Sequence, residues 1–491
     1  MTPSGRGTAT EPSEHHDLRT FTVRGMPFAV DGCTGASYRL DEQTAEQLQR
    51  PAATEGGNGK QGSGVWDLIR WLTPRARAVR QWRYPITWEE AYIGLHCSVF
   101  CNLACRYCQA REHRRTTAVP DLDPQAAREV MDWAVLQFAA RAPAVVFAFG
   151  ISGEPLLAWD LFEALYEHGV RLAAQSGKRI TWGLNTNGLL LSERLVADLE
   201  ERPDVALAIS LDGPPEAHDA MRRTPAGAGT YATVAENARL VLESEVPHLS
   251  HTHAVATLTA AYPWPDRVLE HLMELGFRQI AIKPVRCGPG AGFGMTRETV
   301  PAFCEGYSRL TDLLFTDLAD GTGEAFGRLL GSDPFVTTIR RVATGRSCPL
   351  RCPAGRNMIA VTPDGRLYPC DATAGCDEVC LGSVEAGFDA AARNRVIHCY
   401  VNVRPACRAC WARMICGGAC HHTALLAGGF EQVDPAYCTL VRHMIKEAVW
   451  LVHALREHGA AAHGRLCHTL GLPGELGERR DDLHATRAAG R

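Results

Sequence analysis

Short apolar runs alternate with amphipathic stretches over residues 86–284. The apolar runs have the length of buried strands, and the stretches between them repeat apolar residues at the helical spacing. This alternation predicts a parallel sheet whose strands are joined by right-handed helical crossovers. Six such repeats predict an α/β fold, curled as an open, partial (β/α)6 barrel. The strand candidates are Tyr92–Leu95, Val145–Gly150, Ile180–Leu184, Val205–Ser210, Thr252–Leu258 and Ile280–Lys283.

Residues outside this alternation predict smaller units. Three β-like runs and a short helix predict an N-terminal module, and the glycine-rich stretch after them predicts a linker. The runs are Thr20–Arg24, Phe28–Val30 and Ser37–Leu40, followed by the helix Glu42–Leu48. The predicted units are a disordered tail at 1–17, the module and linker at 18–85, the alternating core at 86–299, a helical connector at 300–345, a cysteine-rich domain at 346–445, and a C-terminal helix and tail at 446–491.

Composition and charge narrow the function classes. The chain has 491 residues with 51 basic and 55 acidic side chains, so no excess of positive charge favours a nucleic-acid partner. No apolar run approaches the roughly 20 residues of a membrane span, and the polar N-terminus lacks the apolar core of a signal peptide. The 19 cysteines favour metal ligation in a reducing compartment. We therefore expect a cytoplasmic protein with no membrane partner.

The candidate chemistry begins just after the first predicted strand of the core. Cys101, Cys105 and Cys108 follow the spacing CxxxCxxC, with the aromatic Tyr107 directly before the last cysteine. Thiolates are the usual ligands of iron–sulfur clusters, and each iron of a [4Fe–4S] cube takes one ligand. Three cysteines therefore leave one iron open for another ligand. A zinc knuckle or a set of buried thiols is the alternative interpretation.

This spacing resembles the signature of the radical S-adenosylmethionine (SAM) superfamily. The resemblance implies a TIM-type (β/α)6 core in which the open iron binds the amino and carboxylate groups of SAM. It also implies reductive cleavage of SAM to a 5′-deoxyadenosyl radical, which takes a hydrogen atom from the substrate. An electron donor, a flavodoxin or ferredoxin-like protein, is an implied partner.

Polar and glycine-rich turns follow the later predicted strands in the order that this superfamily shows. The segment 152–155, Ser-Gly-Glu-Pro, resembles its GGEP element, with serine in place of the first glycine. Asn187 lies in a turn that resembles TNG, and Ser210 begins an SLDG segment that resembles one in radical SAM maturases. By this resemblance the SAM contacts are Tyr107, Ser152, Gly153, Glu154, Pro155, Asn187 and Ser210.

A second, denser group of cysteines lies between residues 348 and 438. Its pattern is Cys352-x12-Gly365-x4-Cys370, then Cys407-x2-Cys410-x5-Cys416-x3-Cys420, then Cys438. This pattern resembles the seven cysteines of the SPASM domain, the auxiliary-cluster extension of sulfatase maturases and many peptide-modifying radical SAM enzymes. Cys348 supplies an eighth thiol, and two fully ligated [4Fe–4S] cubes need eight thiolates.

The resemblance implies two auxiliary [4Fe–4S] clusters in this region. Cluster I is assigned to Cys348, Cys352, Cys370 and Cys420, and cluster II to Cys407, Cys410, Cys416 and Cys438. A pair of structural zinc sites is the alternative. The roles of Cys376, Cys380 and Cys399 stay open, and the first two could serve as alternative ligands or redox thiols.

Asp371 is the candidate catalytic residue. A hairpin between Met358–Val361 and Arg366–Tyr368 is predicted to hold Cys352 near Cys370, and Asp371 follows the second of these cysteines. Its position matches an acid that sulfatase maturases use as a general base, which would accept the proton released from a substrate radical. An ordinary turn aspartate is the alternative interpretation.

These motifs favour a radical SAM/SPASM maturase as the leading function. It would oxidatively cross-link a side chain of a ribosomally synthesised precursor peptide. The N-terminal module resembles the leader-peptide-binding elements of some peptide-modifying enzymes, and a plain N-terminal cap on the barrel is the alternative interpretation. An anaerobic sulfatase-maturating enzyme that forms formylglycine is the first alternative, and a non-catalytic metal-binding protein is the alternative of another class. The sequence identifies neither the peptide, nor the residue attacked, nor the oligomeric state, nor whether SAM is consumed.

Overall fold

The computed structural model describes residues 18–49, 89–96, 100–109, 123–150, 153–288, 290–418 and 420–472. The predicted tail at 1–17, the linker after the N-terminal module, Ser152 and the C-terminal tail lie outside these residues. Among the described helices, none combines the length and the apolar character that a membrane crossing requires.

Strands and helices alternate through the core. The strands are β1 (Leu18–Val23), β2 (Met26–Asp31), β3 (Ser37–Arg39), β4 (Ala91–Leu95), β5 (Ala144–Phe149), β6 (Arg179–Thr186), β7 (Val205–Ser210), β8 (His253–Leu258), β9 (Gln279–Pro284), β10 (Met358–Val361), β11 (Arg366–Tyr368), β12 (Gly382–Ser383) and β13 (Gly387–Phe388). The α-helices are Glu42–Gln49, Pro124–Trp133, Trp159–Ser176, Glu193–Glu200, Pro215–Met221, Tyr231–Leu242, Pro247–Ser250, Pro265–Glu274, Val300–Ala319, Glu324–Arg328, Pro334–Thr344, Ala390–Ile397, Pro405–Arg408, Arg413–Cys416, His421–Leu426, Pro435–His458 and Ala460–Thr469. Asp123 and Asp434 show how several of these helices begin, because each caps the free N–H groups of the first turn and a proline follows it.

One sheet runs through the core. Strands β4 to β9 lie side by side in chain order and pair parallel throughout, which confirms the predicted α/β fold with six strand–helix repeats. Their outer faces pack on the helices, as the Trp182 ring of β6 does edge-on against the Phe162 ring at 5.4 Å between centroids. Burying a large apolar side chain contributes roughly 1.5–3 kcal/mol. This outer layer therefore holds the curved sheet in place.

At the level of Gly94, the inner face of the sheet carries small residues. Because successive strand residues point to opposite faces, Gly94 of β4, Ala148 of β5 and Gly183 of β6 face away from the helices. Among the described residues, a Cβ atom placed on Gly183 would meet no atom closer than the Ala148 Cα, at 4.0 Å. These residues therefore leave space inside the barrel beside β5 and β6.

The cysteine-rich region continues the same sheet. Strand β10 pairs parallel with β4, with Met358 opposite Tyr92 and Val361 opposite Leu95, and β11 to β13 extend the sheet antiparallel from there. The predicted β10–β11 hairpin is present, and Gly365 in its turn has a φ of +76°, which favours glycine. The chain that leaves β11 therefore lies against β4.

The N-terminal module is an antiparallel sheet of β1, β2 and β3 with one helix, in the places that the sequence predicted. It packs on the C-terminal part of the chain. The Arg24 guanidinium lies 4.3 Å from the centre of the Trp450 ring, and the Phe21 ring lies 5.3 Å from the Trp411 ring. The module is thus fixed to the cysteine-rich region and to helix Pro435–His458, with β1 as an outer strand.

Candidate active site

Three cysteines lie in a loop just past the end of β4. Cys101, Cys105 and Cys108 are each half-buried. The loop is held by the chain that follows β7, where the Ala104 N–H donates to the Arg223 carbonyl at 2.7 Å. A loop at the carboxyl end of a parallel strand is the usual place for chemistry in such barrels.

The three thiols are close enough to influence one another's charge. Burial raises the pKa of Cys105 to about 11, against the opposing effect of the Arg222 guanidinium. Thiolates at Cys108 and Cys101 raise this pKa further. Three soft sulfur donors that share one loop suit an iron–sulfur cluster. The donor set therefore fits the group that the motif predicts.

A buried ionic network supports this loop. The Asp212 Oδ2 accepts hydrogen bonds from the Tyr107 hydroxyl at 2.5 Å and from the Arg222 Nε at 3.1 Å. Its Oδ1 accepts the Thr257 N–H at 2.9 Å. Burial raises the pKa of Tyr107 well above its ordinary value, and the Asp212 charge adds to that shift. Tyr107, a predicted SAM contact, is therefore a protonated phenol anchored by Asp212.

Glu154 lies in the turn after β5 with only 2% of its surface exposed, between half-buried Gly153 and buried Pro155. Its Oε1 accepts a hydrogen bond from the Thr186 hydroxyl at 2.5 Å, and its Oε2 accepts the Asn187 N–H at 2.7 Å. Burial raises the pKa of Glu154, and these hydrogen bonds oppose the shift. The carboxylate therefore ties together the turns that follow β5 and β6.

Two further predicted SAM contacts lie at the same edge of the sheet. The Asn187 Nδ2 donates to the Asn102 side chain at 2.7 Å and lies 3.8 Å from the Cys101 sulfur. The turn after β6 therefore touches the cysteine loop. Ser210, at the end of β7, donates to the Asn185 Oδ1 at 3.1 Å. The strand-end turns that the sequence singled out thus converge around the three cysteines.

Asp371 lies on the inner side of β4. The Tyr92 hydroxyl is 3.4 Å from its Oδ2, and burial, with the Asp371 charge, raises the pKa of Tyr92 far above its ordinary value. The His96 Nε2 faces the Asp371 Oδ1 at 3.4 Å, without the alignment of a hydrogen bond. Among the described residues neither of these two atoms has a hydrogen-bond partner, although both are buried. The carboxylate thus lies between a phenol and an imidazole, and its side chain as a whole is 20% exposed.

Two residues that shape this position were not among those predicted from the sequence. A Cβ atom on Gly94 would lie 1.7 Å from the Asp371 Oδ1, so glycine is what leaves room for the carboxylate. His96 is 4% exposed, and its N–H donates to the Val361 carbonyl at 3.0 Å, which fixes it where β4 meets β10. The only signal for His96 was its place between a strand end and the cysteine loop.

The second cysteine group falls into two sets in the structure. The first set is Cys352, Cys370 and Cys420. Burial raises the pKa of Cys370 above its ordinary value, and thiolates at Cys352 and Cys420 add to the shift. Burial likewise raises the pKa of Cys352 to about 11, with Cys420 adding to it. These three thiols therefore lie within electrostatic range of one another.

The second set is Cys407, Cys410, Cys416 and Cys438. Burial raises the pKa of Cys438 to about 12, and the other three thiolates add to the shift. Cys348, predicted to belong with the first set, interacts instead with Cys416: burial raises the pKa of Cys348 and the Cys416 thiolate adds to that effect. Its assignment to cluster I therefore stays a prediction.

Known proteins share these features of sequence and fold. Residues 95–276 match the family model described as the Radical SAM superfamily. The serine-type anaerobic sulfatase-maturating enzyme of Klebsiella aerogenes is 25% identical over 337 residues, which cover 65% of this chain and 76% of that protein. The cysteine-type anaerobic sulfatase-maturating enzyme of Clostridium perfringens is 24% identical over 335 residues, covering 65% of this chain and 85% of that protein.

A solved structure, native anSMEcpe with bound AdoMet, has the same fold, with a TM-score of 0.61 at 21% identity over 74% of this chain and 99% of that one. The structure of the same protein with AdoMet and the Cp18Cys peptide gives a TM-score of 0.61 at 22% identity, covering 75% of this chain and 99% of that one. The family match implies a [4Fe–4S] cluster and SAM as cofactors. The non-catalytic alternative is thereby set aside: residues 95–276 form a radical SAM domain, and the chain is a radical SAM oxidoreductase that is similar to anaerobic sulfatase-maturating enzymes.

Proposed function

We propose that this chain cleaves SAM to a 5′-deoxyadenosyl radical and oxidatively cross-links a side chain of a ribosomally synthesised precursor peptide. The position of Asp371, which follows the β10–β11 hairpin and lies on the inner side of β4, supports an oxidation at this site, and the N-terminal module, whose strand β1 pairs with β2 alone among the described residues, favours a precursor peptide as the substrate. The open interior beside β5 and β6 leaves room for a peptide segment next to this carboxylate. A base there can accept the proton that a substrate radical releases when it is oxidised.

Each group of residues has its own role in this proposal. Cys101, Cys105 and Cys108 hold a [4Fe–4S] cluster, which when bound supplies the electron that cleaves SAM. An external flavodoxin or ferredoxin-like protein delivers that electron. The strand-end turns position SAM, with contacts from Tyr107, Ser152, Gly153, Glu154, Pro155, Asn187 and Ser210.

The cysteine-rich region, proposed as a SPASM domain, holds two auxiliary clusters. The first set, with Cys348 by the predicted assignment, ligates cluster I, and the second set ligates cluster II. Support comes from the charge balance of the thiols. Buried thiols that raise one another's pKa repel each other once they are ionised to thiolates. A bound metal cluster removes this repulsion because its irons are cationic.

The N-terminal module offers an edge for the leader part of a peptide. The two-residue turn Arg24–Gly25 joins β1 to β2, so Val23 and Met26 form the hydrogen-bonded pair that flanks it. Hydrogen-bonded and non-hydrogen-bonded pairs alternate along an antiparallel ladder, so the backbone N–H and C=O groups of Thr20 and Thr22 point away from β2. Among the described residues β1 pairs with β2 alone, so an extended peptide can add to it as a further strand.

An anaerobic sulfatase-maturating activity, which forms formylglycine, is the second candidate. The names of the Klebsiella and Clostridium relatives favour it, and Asp371 could act as the base in that reaction too. The two candidates differ in how they use the N-terminal module, because a leader-binding strand is needed only for a precursor peptide.

High-resolution mass spectrometry of an anaerobic reaction decides between the two candidates. The reconstituted enzyme, SAM and a reductant are incubated either with a small peptide encoded beside this gene or with a sulfatase-motif peptide. Loss of two hydrogens from the first peptide, with fragmentation blocked across the bridged span, supports the cross-linking maturase. Conversion of only the sulfatase peptide to an aldehyde would replace this proposal by the second candidate. A variant with Cys101, Cys105 and Cys108 replaced by Ala is the control and should form no 5′-deoxyadenosine.

A further inference from the structure

Arg286 contacts both the end of the cysteine loop and one thiol of the first set. It follows β9, and its carbonyl accepts a hydrogen bond from the Nε2 of Gln109, the residue after Cys108, at 3.0 Å. Its Nη1 donates to the Cys420 sulfur at 3.5 Å. A short path of covalent and hydrogen bonds therefore joins the cysteine loop to the first set of the second cysteine group.

The charge of Arg286 is balanced by the thiolates of this set. The Cys420 thiolate raises the pKa of Arg286 and Cys352 adds to the effect, although burial opposes it. Cys420 occupies the N-cap position of helix His421–Leu426, and its sulfur accepts the Arg286 Nη1 hydrogen bond there. The sulfur of Cys420 therefore lies against a fixed positive charge.

A fixed cation beside a cluster thiolate has a defined effect on redox chemistry. Reduction adds one negative charge to an iron–sulfur cluster, and a cation hydrogen-bonded to one of its sulfurs stabilises that added charge. The reduction potential rises as a result, because hydrogen bonds and net charge set the potential of such clusters. Arginine stays protonated at every pH at which proteins work, so this effect does not titrate.

We propose that Arg286 raises the reduction potential of the cluster that the first set would hold and so favours transfer of the substrate's electron to it. With a cluster bound there, the substrate radical left by hydrogen-atom abstraction would give one electron to it and one proton to the Asp371 carboxylate, which would complete the oxidation. The inference rests on the proposed function, because it requires a cluster at Cys352, Cys370 and Cys420.

The test is the midpoint potential of the auxiliary clusters, measured by redox titration with EPR detection on the reconstituted full chain. Cys370→Ser first identifies which signal belongs to the first set, since that signal and its iron should be lost. Arg286→Gln should keep the iron but lower this potential by about 59 mV or more, the equivalent of a tenfold change in equilibrium constant for a one-electron couple.

Two further variants show whether the charge is the cause. Arg286→Lys keeps the positive charge and should recover at least half of the shift. Lys283→Gln removes a second cation at the end of β9 that, among the described residues, makes no hydrogen bond to a cysteine, and it should shift the potential by less than half as much. Equal shifts in Arg286→Gln and Lys283→Gln would overturn the specific role of Arg286.

Different results would contradict the role of Arg286 and the presence of the auxiliary cluster. An unchanged potential in Arg286→Gln with full iron content would overturn the inference about Arg286 and leave the clusters in place. Unchanged iron content in Cys370→Ser would overturn the auxiliary cluster itself. Should Arg286→Gln bind less iron, Arg286→Lys carries the test, and a potential lowered by the full tenfold equivalent in that variant would overturn the role of the charge.

Discussion

Replacing Gly94 by alanine tests whether Asp371 acts on the substrate. The added Cβ would lie 1.7 Å from the Asp371 Oδ1 and 2.8 Å from its Cγ. Non-bonded heavy atoms are most stable at about 3.5–4.0 Å, so the carboxylate must move by about 2 Å. The Asp371 side chain is 20% exposed, and it can rotate away from β4 while the backbone stays in place.

Gly94→Ala should therefore lower the rate of product formation more than the stability of the fold. Overpacking costs about 1–3 kcal/mol, and we expect the lower end because one side chain can turn aside. A positioned general base contributes about 10²–10⁴ in rate, so the rate of product formation should fall by about 10²-fold. SAM cleavage at the cysteine loop should continue. More 5′-deoxyadenosine should then accumulate for each modified peptide.

The assay is an anaerobic time course in which 5′-deoxyadenosine and modified peptide are quantified in the same samples. Gly464→Ala, in helix Ala460–Thr469, is the control, because among the described residues its added Cβ would meet no atom within 4 Å. It should keep the wild-type ratio of the two products. A Gly94→Ala enzyme that also keeps this ratio, with an intact fold by thermal unfolding, would refute the role of Asp371 as the base.

Three further substitutions test neighbouring features. His96→Ala should lower the yield of modified peptide per 5′-deoxyadenosine severalfold, because the candidate base loses the imidazole beside its Oδ1; an unchanged yield would make His96 a packing residue. Asp212→Asn should lower the free energy of unfolding by about 3–5 kcal/mol in a urea titration, since the buried Arg222 charge loses its partner; a loss under about 1 kcal/mol, the value of an exposed pair, would contradict this. Thr22→Pro should weaken binding of a labelled precursor peptide at least tenfold by fluorescence anisotropy, because it removes an outward N–H from β1; equal binding would return β1 to a structural role.

The parts of the fold that could be predicted from the sequence are those with a local signal. Each strand of the core is an apolar run of strand length between amphipathic helices, as Val205–Ser210 is, and the structure places β7 at those residues. The cysteine loop is local too, because the spacing of its three thiols within eight consecutive residues keeps them close in any compact loop. The turns after β5 and β6 were predictable for the same reason.

Long-range pairing was not predictable in this way. The apolar run Met358–Val361 indicates a strand, but its pattern does not encode β4 as the neighbour, because any buried strand satisfies the same requirement. The sequence does not distinguish His96 from the other histidines among its 19, because only the pairing of β10 with β4 places it beside Asp371. Arg286 was likewise one basic residue among many, because its contact with Cys420 depends on how β9 meets the cysteine-rich region.

The pairing of β10 with β4 determines more than the extent of the sheet. One hairpin both adds the strand β10 to the barrel and leads directly to Cys370 and Asp371, so the same hydrogen bonds position a thiol of the first set and the candidate base. Side chains alternate between the two faces of a strand, so a one-residue slip of β10 against β4 would exchange its inner and outer faces. The buried Ile359 and Val361 resist such a slip, since it would turn them from the core toward the barrel interior. The position of the candidate base is therefore set by apolar packing at this seam rather than by the loop that carries Asp371.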